Sequence, residues 1–298
     1  MQHNVSQRFK EYLLLIRLPN VFTTPSNILA GYFAAVTVIE ADSVHLIALM
    51  VSSSLLYIGG IVLNDYFDVE IDKRERPSRP LPSGNISKTH ALAIAMVALL
   101  IANIIALALG PISLAVSLAL TFTIIAYDYR LKHGPSGPFA MGGARFLNVI
   151  FGASPVLLYI NNHSYAIVGA AAASLFLYIV AITILSKKEA GNEKPNSTIA
   201  FLMVFGVISA VAVLGLLLQL QWAFLLNLSI FAAVMIFTFK QHLTKELPSV
   251  QKAVRNMVLS IIILDSVFVT GIAGLPYGLA TLLLIAPAVL LARKLYVT

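Results

Sequence analysis

Long stretches that lack Asp, Glu, Lys and Arg are the feature that most restricts how this chain can fold. They cover residues 18–39, 43–64, 89–127, 146–186, 195–239 and, interrupted only by Asp265, 256–292. A helix needs about 20 apolar residues to cross the hydrocarbon core of a bilayer. The four longest stretches are each broken near the middle, at residues 110–111, 161–164, 219–222 and 274–276. Because each half is long enough to span, the sequence predicts ten transmembrane helices.

The composition agrees with a membrane protein. Only 11% of the 298 residues are charged and 59% are hydrophobic, whereas a soluble domain carries roughly 25% charged residues. Too few charges remain to cover a surface that faces water, so lipid is expected to surround most of the chain. The chain has no cysteine, which excludes disulfides, thiolate chemistry and cysteine-ligated metals.

The positions of the basic residues predict the topology. With ten spans, all 20 Lys and Arg residues fall in the termini and in the even-numbered connections. Cytoplasmic loops carry the Lys/Arg excess, so both termini are expected to be cytoplasmic, in a multi-pass protein of the inner (plasma) membrane. The net charge of +7 then reflects topology, and no nucleic-acid partner is expected. The first apolar run is long enough to span, so no cleavable signal peptide is expected.

These patterns together predict the architecture. We expect one all-α domain over residues 1–298, a polytopic membrane helical bundle with residues 275–298 as its last span. The cytoplasmic connections at 65–88 and 187–197 are long and polar, whereas the opposite connections are short. Function is therefore expected at the cytoplasmic face.

A column of oxygen-bearing side chains closes the second span. Asn64, Asp68 and Asp72 are four residues apart and share a helical face, with Asp65 a quarter-turn away. Such oxygens are the ligands of hard cations such as Mg²⁺, which water and substrate phosphates usually complete. The simpler alternative is a set of solvated acids at a helix end. The spacing favours the Mg²⁺ site, because acids this near a membrane need pairing, hydration or a metal.

A basic loop, RERPSRPLPSG at residues 74–84, follows the acidic column. The guanidinium groups of Arg76 and Arg79, together with Arg74, suit the oxygens of a diphosphate. The prolines stiffen the loop and remove backbone donors. The alternative is a positively charged anchor at the membrane surface, which would need the bases but not this spacing of prolines.

The sixth predicted span ends in a second acidic pair. Glu189 and Glu193 are four residues apart and share a helical face, and Lys188 lies beside them. The pair can hold a second cation. It can equally be part of a solvated, charge-rich loop, and the residues alone leave both interpretations open.

Other polar residues lie at or inside the later spans. Tyr127 and Lys132 follow the fourth span; Lys132 can bind phosphate, and Tyr127 can orient an acceptor or shield a carbocation. Arg145 and Asn148 open the fifth span on one face, and we assign them to diphosphate binding. Asp265 is the one acid deep inside a span, and we interpret it as structural, held by a polar partner.

The motif at residues 64–84 resembles that of the UbiA superfamily of intramembrane prenyltransferases. The pattern is N-D-x-x-D-x-x-x-D followed by a basic Arg-Pro loop, and Asn64, Asp65, Asp68 and Asp72 match it in full. Residues 17–32, RLPNVFTTPSNILAGY, are similar to the family's first helix. The likeness runs over essentially the whole chain. Residues 275–298 add a span to the usual core and are similar to a bacterial branch described as EboC-like.

The resemblance implies a bundle around a central cavity that opens to the cytoplasm. It also implies that Mg²⁺ ions at the two acidic motifs bridge the diphosphate of a prenyl donor, whose loss leaves an allylic carbocation for an acceptor to attack. The family's second motif usually has two Asp residues where Glu189 and Glu193 stand here. The longer side chains shift the geometry of a second metal site.

We therefore expect Mg²⁺-dependent prenyl transfer from a polyprenyl diphosphate to a small acceptor, aromatic or polyol. Arg17, Arg76, Arg79, Lys132 and Lys188 are expected to neutralise the leaving diphosphate. One alternative, a CDP-alcohol phosphotransferase, needs a signature that contains D-G, and this chain has no D-G pair. The other alternative is a non-catalytic carrier of isoprenoid lipids on the same scaffold, against which the intact acidic column argues.

Overall fold

The computed structural model describes residues 5–36, 41–187, 197–242 and 247–295, and in these ranges the chain forms helices and turns without a strand. The first half comprises α1 (Val5–Leu15), α2 (Leu18–Val21), α3 (Thr23–Ala35), α4 (Ser43–Phe67), α5 (Val69–Glu75), α6 (Lys88–Leu109), α7 (Pro111–Tyr129) and α8 (Gly137–Ala153). The second half comprises α9 (Asn162–Lys187), α10 (Ser197–Leu217), α11 (Phe224–His242), α12 (Leu247–Leu259), α13 (Ile261–Ala273), α14 (Leu275–Leu282) and α15 (Ile285–Leu295). The predicted all-α class is confirmed.

Eight helical segments of the described chain are long and apolar enough to cross a membrane, which makes this a multi-pass membrane protein. They are Ser43–Phe67, Lys88–Leu109, Pro111–Tyr129, Asn162–Ser186, Thr198–Leu217, Phe224–Gln241, Val250–Ala273 and Leu275–Leu295. Each coincides with a predicted span. The two other predicted spans correspond to shorter helices, α3 with 13 residues and α8 with 17. The number of crossings therefore stays a prediction.

Two of the predicted breaks are tight turns built on glycine. Gly110 has φ 127° and separates α6 from α7, and Gly274 has φ 93° and separates α13 from α14. Glycine has no Cβ and reaches these positive φ values without strain. A proline then occupies the first turn of the next helix, where its missing N–H is not needed. The Gly-Pro pattern in the sequence therefore marks true helix ends.

The helix that carries the fifth predicted span begins earlier than the charge-free stretch does. The helix α8 begins at Gly137 rather than near residue 146, and it ends at Ala153. Pro138 lies in its first turn, where proline is tolerated and favours helix initiation. The run GPSGP thus starts the helix instead of extending the loop. As a consequence, Arg145 lies about two turns inside α8 and is not part of a connection.

The short helix α3 lies at the centre of the bundle, in contact with α4, α8, α9 and α13. It meets α8 closely at Gly31 and Gly152. A Cβ at Gly31 would overlap the backbone carbonyl of Val149, and a Cβ at Gly152 would approach the backbone of Ile28. Small residues let helices pack this closely inside membranes. The contact sets the polar residues of α3 directly opposite those of α8.

Candidate active site

A cavity of about 400 Å³ lies between α4, α7 and α8. Its apolar wall comes from residues of the three helices, among them Leu56, Ile61, Leu120, Ile124 and Met141. Its polar lining includes Thr24, Ser53, Tyr57 and Asp128. Six of the residues singled out in the sequence also line it, namely Arg17, Asn64, Arg76, Tyr127, Arg145 and Asn148. The volume is in the range of small-molecule sites.

The acidic column keeps its helical register at one end of this cavity. The helix α4 ends at Phe67 and α5 begins at Val69, with Asp68 between them. The backbone N–H of Asp68 still donates to the Asn64 carbonyl at 3.0 Å, and that of Asp72 to the Asp68 carbonyl at 2.8 Å. The spacing of four residues therefore places Asn64, Asp68 and Asp72 on one side of the backbone, as the sequence predicts.

Lys132 bridges the column from the connection between α7 and α8. Its Nζ lies 2.7 Å from Asp68 Oδ1 and donates to Asn64 Oδ1 at 3.3 Å. The Lys132 side chain is only 8% exposed, so water screens this ion pair far less than a surface pair. Lys132 lies 68 residues from Asn64 in the sequence, and the fold brings the two side chains together.

The other two acids share two arginines. Arg17 Nη2 lies 2.7 Å from Asp65 Oδ1, and Arg79 Nη1 lies 2.6 Å from Asp72 Oδ2 and 3.5 Å from Asp65 Oδ1. Asp65 and Asp72 are almost fully buried. Together with Asn64, Asp68 and Lys132, these residues form a connected set of acids and bases that we call the mouth cluster.

Local backbone structure positions the two arginines. Arg17 lies between α1 and α2 with φ 46°, a left-handed conformation that is costly for a residue other than glycine and that clusters at functional sites. The loop that carries Arg79 is anchored by the buried side chains of Leu81 and Ile86. The Ile86 N–H also donates to the Pro80 carbonyl at 3.1 Å. Each arginine therefore reaches the acids from a constrained segment.

Burial lowers the pKa of the Arg79 guanidinium below its ordinary value, and nearby Arg17 acts in the same direction. Asp65 and Asp72 oppose this shift by favouring the cation. Because arginine titrates so far above neutrality, Arg79 stays protonated at physiological pH. The mouth cluster therefore presents fixed positive charges beside its carboxylates.

The donor set of the mouth cluster fits Mg²⁺ chemically. Asn64, Asp65, Asp68 and Asp72 offer only oxygen ligands, and Mg²⁺ is commonly held by one or two carboxylates completed by water and substrate phosphates. In the described part of the chain, no group of three or more His, Cys, Asp or Glu side chains converges on one point. The carboxylates instead pair with Arg17, Arg79 and Lys132. The assignment of these residues as metal ligands stays a prediction.

Asp128 is a cavity residue to which the sequence analysis gave no role. It is 3% exposed, lies at the end of α7 beside Tyr127, and lines the cavity with it. A buried acid at the end of an apolar span was the available signal, since ionisable groups at membrane depth are usually functional. Asp128 adds a carboxylate to the wall that faces the mouth cluster.

A second polar group, which we call the wall cluster, occupies the contact between α3 and α8. The Arg145 guanidinium donates to Asn27 Oδ1 at 2.9 Å, to Thr23 Oγ1 at 3.0 Å and to the Thr23 carbonyl at 3.3 Å. Asn148 Nδ2 donates to Asn27 Oδ1 and to the Thr24 carbonyl, both at 3.2 Å. Ser53 Oγ of α4 donates to Asn148 Oδ1 at 2.7 Å. Three helices are thereby joined at the cavity wall.

Asp265 completes the wall cluster from α13. Its Oδ2 accepts from Asn27 Nδ2 and from Ser26 Oγ, each at 2.6 Å. Asp265 therefore has the polar partners that its depth in the bundle requires. The partners Ser26 and Asn27 went unnoticed in the sequence, although the polar run TTPSN inside an apolar stretch was the signal.

Several predicted residues are not brought into either cluster. Arg76 lines the cavity but is exposed and makes no ion pair within the described residues. Lys188, Glu189 and Glu193 lie outside the residues that the structure describes. A second cation site in the loop after α9 therefore stays a prediction.

The bundle, its cavity and the acidic column define a polytopic membrane protein with an ionic site at the end of a cavity that polar and apolar side chains line together. The sequence pattern of the UbiA prenyltransferase family matches residues 25–262. The chain therefore belongs to the UbiA prenyltransferase family.

Curated relatives include digeranylgeranylglyceryl phosphate synthases. That of Sulfurisphaera tokodaii is 32% identical over 123 residues, which are 41% of this chain and 44% of the relative. That of Methanothrix thermoacetophila is 44% identical over 120 residues, 38% of this chain and 45% of the relative. The chain thus spans about half the length of the curated relatives it matches.

Solved structures agree on the fold. A UbiA homologue from Aeropyrum pernix superposes with a TM-score of 0.67 at 16% identity, over 83% of this chain and 96% of that one. A digeranylgeranylglyceryl phosphate synthase gives 0.63 at 21% identity, over 90% and 100%. A UbiA homologue from Archaeoglobus fulgidus bound to GPP and Mg²⁺ gives 0.54 at 15% identity, over 94% and 98%. At these identities the likeness establishes the fold alone.

Proposed function

We propose that this protein transfers a prenyl group from a polyprenyl diphosphate to a small acceptor inside the membrane, in a reaction that depends on Mg²⁺ and releases diphosphate. The observation that carries the proposal is the mouth cluster itself. Paired acids and bases, with Lys132 bridging Asn64 and Asp68, stand at the end of a cavity whose wall carries apolar side chains of α4, α7 and α8 among its polar groups. Such a site suits a ligand with an anionic head and an isoprenoid tail.

At the diphosphate head group of the donor, the acids and the bases would have different roles. Asn64, Asp65, Asp68 and Asp72 would hold Mg²⁺, and Glu189 and Glu193 a second ion. When bound, Mg²⁺ neutralises the negative charge that develops on the leaving group. Arg17, Arg76, Arg79, Lys132 and Lys188 would bind the diphosphate oxygens, because fixed positive charges stabilise a leaving anion in a site of low dielectric.

The reaction breaks the bond between the prenyl C1 and the diphosphate oxygen, and the electron pair leaves with diphosphate. The acceptor supplies the electron pair of the new bond to C1 and then loses a proton. Leu56, Leu120 and Ile124 line the cavity and would exclude water from the allylic cation. The Tyr127 ring would shield the cation or orient the acceptor, and Asp128 is the buried acid on the wall that can take the proton.

The relatives suggest which substrates to test first. Their name describes a glyceryl phosphate that carries two geranylgeranyl groups, and a solved homologue binds GPP with Mg²⁺. We infer an allylic diphosphate donor, tested first as geranylgeranyl diphosphate, and an acceptor that is polyol or aromatic. The head-group site would face the cytoplasm of the inner membrane, with both termini on that side.

Transfer of label in purified protein tests the proposal. Protein in liposomes would receive Mg²⁺, radiolabelled geranylgeranyl diphosphate and a panel of polyol and aromatic acceptors. We expect a labelled lipid product and an equal amount of diphosphate, both abolished when EDTA removes Mg²⁺. Tight binding of the donor with neither product nor released diphosphate, for any acceptor, would refute transferase activity and favour an isoprenoid carrier.

A further inference from the structure

Arg145 is a cation in the cavity wall that pairs with no carboxylate of the described residues. It lines the cavity, and its guanidinium lies 5.8 Å from the centroid of the Tyr57 ring. No acid in the described residues lies within 4.0 Å of it. Its partners Thr23 and Asn27 accept three hydrogen bonds, whereas a guanidinium has five N–H donors. A membrane-buried cation is costly unless an anion joins it.

Asp265 is hydrogen-bonded to Asn27, which is in turn a hydrogen-bond partner of Arg145. The Asn27 amide donates through Nδ2 to Asp265 and accepts through Oδ1 from Arg145. Because a guanidinium can only donate, the oxygen of the Asn27 amide must face Arg145, and the amide nitrogen is then the atom that donates to Asp265. Asn148 adds a second donor to the same Asn27 oxygen. Asp265 thus fixes the acceptor that orients Arg145, without reaching the cavity itself.

The wall cluster contacts α4 at least about two helical turns from the point where the mouth cluster contacts it. For this reason Arg145 and Asn148 are given a role other than the diphosphate binding assigned to them from the sequence. Along α4, Asn64 contacts Lys132, Tyr57 lies beside Arg145, and Ser53 contacts Asn148. At 1.5 Å per residue, Tyr57 lies roughly 10 Å and Ser53 roughly 16 Å from Asn64 along the helix axis. The two clusters therefore suit two different charged groups in one cavity.

We propose that Arg145 binds an anionic group of the prenyl acceptor, a phosphate monoester or a carboxylate, and that Asp265 is the positioning residue that orients Arg145 through Asn27. This inference rests on the proposed function, because it assigns the second substrate of that reaction. An acceptor anchored by its anion at the wall can direct its nucleophile toward the mouth. There it must approach the donor C1 to roughly 3–3.5 Å.

Two pairs of acceptors test the charge requirement. Geranylgeranylglyceryl phosphate would be compared with neutral geranylgeranylglycerol, and para-hydroxybenzoate with neutral para-hydroxybenzamide. In wild type we expect at least one anionic acceptor to bind and react at least about tenfold better than its neutral counterpart, as hydrogen bonds to charged groups predict. The pair that responds identifies phosphate or carboxylate as the source of the anion. Equal use of the neutral compounds would overturn the inference.

Arg145→Gln should raise the KM of the anionic acceptor by about tenfold or more and leave the KM of the neutral acceptor and of the donor within about twofold. Asp265→Asn should raise the same acceptor KM by about three- to tenfold, and Asp265→Glu should restore part of the loss. The matched control is Asn227→Ala. Asn227 lies on α11 and makes buried hydrogen bonds to Ser266 and Thr270 of α13, the helix that carries Asp265, and none of the three lines the cavity. That control should leave both KM values unchanged.

Direct binding separates this inference from the proposed function. Equilibrium binding of the labelled anionic acceptor to folded protein, checked by size exclusion in detergent, requires no turnover. Binding that Arg145→Gln weakens, in a protein with no transferase activity, would uphold the anion site and refute the proposed function. Transfer to neutral acceptors alone would uphold the proposed function and refute the anion site. If Arg145→Gln does not fold, Arg145→Lys must still lower acceptor affinity, and a parallel loss of donor affinity would overturn the inference.

Discussion

The mouth cluster and the wall cluster handle charge in opposite ways. At the mouth, Asp65, Asp68 and Asp72 each contact a cation directly. At the wall, the Asn27 amide separates Asp265 from Arg145. Direct ion pairs can exchange partners when an ionic ligand arrives, because a new ion at a similar distance attracts each charge as strongly as the old one does. A hydrogen-bonded chain through a buried amide has one arrangement and holds its members still.

This contrast suggests a division of labour. The mouth cluster, with Arg17 and Arg79 about one quarter exposed, is built to receive and release an ion. The wall cluster joins α3, α4, α8 and α13 and is built to keep one geometry. A transferase needs both properties, since it must bind and release diphosphate while holding an acceptor in a fixed position.

The largest expected effect is at the centre of the mouth cluster. Asp68→Asn removes the charge that pairs with Lys132 at 2.7 Å and a predicted Mg²⁺ ligand. We expect prenyl transfer to fall by about 1000-fold while the protein stays folded, the upper range for removal of one electrostatic contributor. Label transfer in liposomes measures it. The matched control is Glu70→Gln, an exposed acid two residues away that contacts Lys73; full activity in Asp68→Asn would reject the site.

Lys132→Met should have the next largest effect. It removes a buried cation that contacts both Asn64 and Asp68, and we expect transfer to fall by about 100-fold. Because Lys132 and Asp68 act as one pair, the double variant should lose less than the product of the two single losses. Single-turnover rates of the four proteins give this coupling. Arg130→Gln, an exposed base two residues away, is the control, and additive losses would show that the pair does not act together.

The sequence predicted the mouth cluster better than the wall cluster, for a physical reason. Asn64, Asp65, Asp68 and Asp72 lie within nine consecutive positions, so helical geometry alone sets their relation. The wall cluster joins Asn27 to Arg145 and Asp265 across 118 and 238 residues. Such contacts depend on how α3, α8 and α13 pack, which the spacing of residues in one segment does not encode. The sequence placed Arg145 at the start of the fifth span, whereas it lies about two turns inside α8.

Helix packing can be used to disturb the wall cluster alone. Gly31→Leu would place a side chain against the backbone of α8 and push apart the two helices that carry Asn27 and Arg145. Overpacking of this kind costs about 1–3 kcal/mol of stability, and we expect the midpoint of thermal unfolding in detergent to fall. The KM of the acceptor should rise by about tenfold and exceed any change in the KM of the donor, since only the wall contacts are displaced.

Gly143→Ala is the matched control for this packing prediction, because a Cβ at Gly143, also on α8, meets nothing within 4 Å. It should change neither the unfolding midpoint nor the two KM values. An equal rise in donor and acceptor KM for Gly31→Leu would show that the two clusters are mechanically coupled and would contradict their separation.

The smallest expected effect comes from salt, and it distinguishes the clusters without any mutation. Added salt screens partly exposed charges far more than buried ones. The Debye length of the solution is about 10 Å at 0.1 M salt. Arg17 and Arg79 are 26% and 23% exposed, whereas Arg145 is hydrogen-bonded to Thr23 and Asn27, which are both fully buried. We expect the donor KM to rise several-fold between about 0.05 and 0.5 M salt. The acceptor KM should change by less than about twofold, and Arg79→Gln should flatten the response of the donor, because it removes one screened contact. Equal salt responses for both substrates would mean that both are held by exposed charges, which would place the acceptor's anion at the mouth cluster as well.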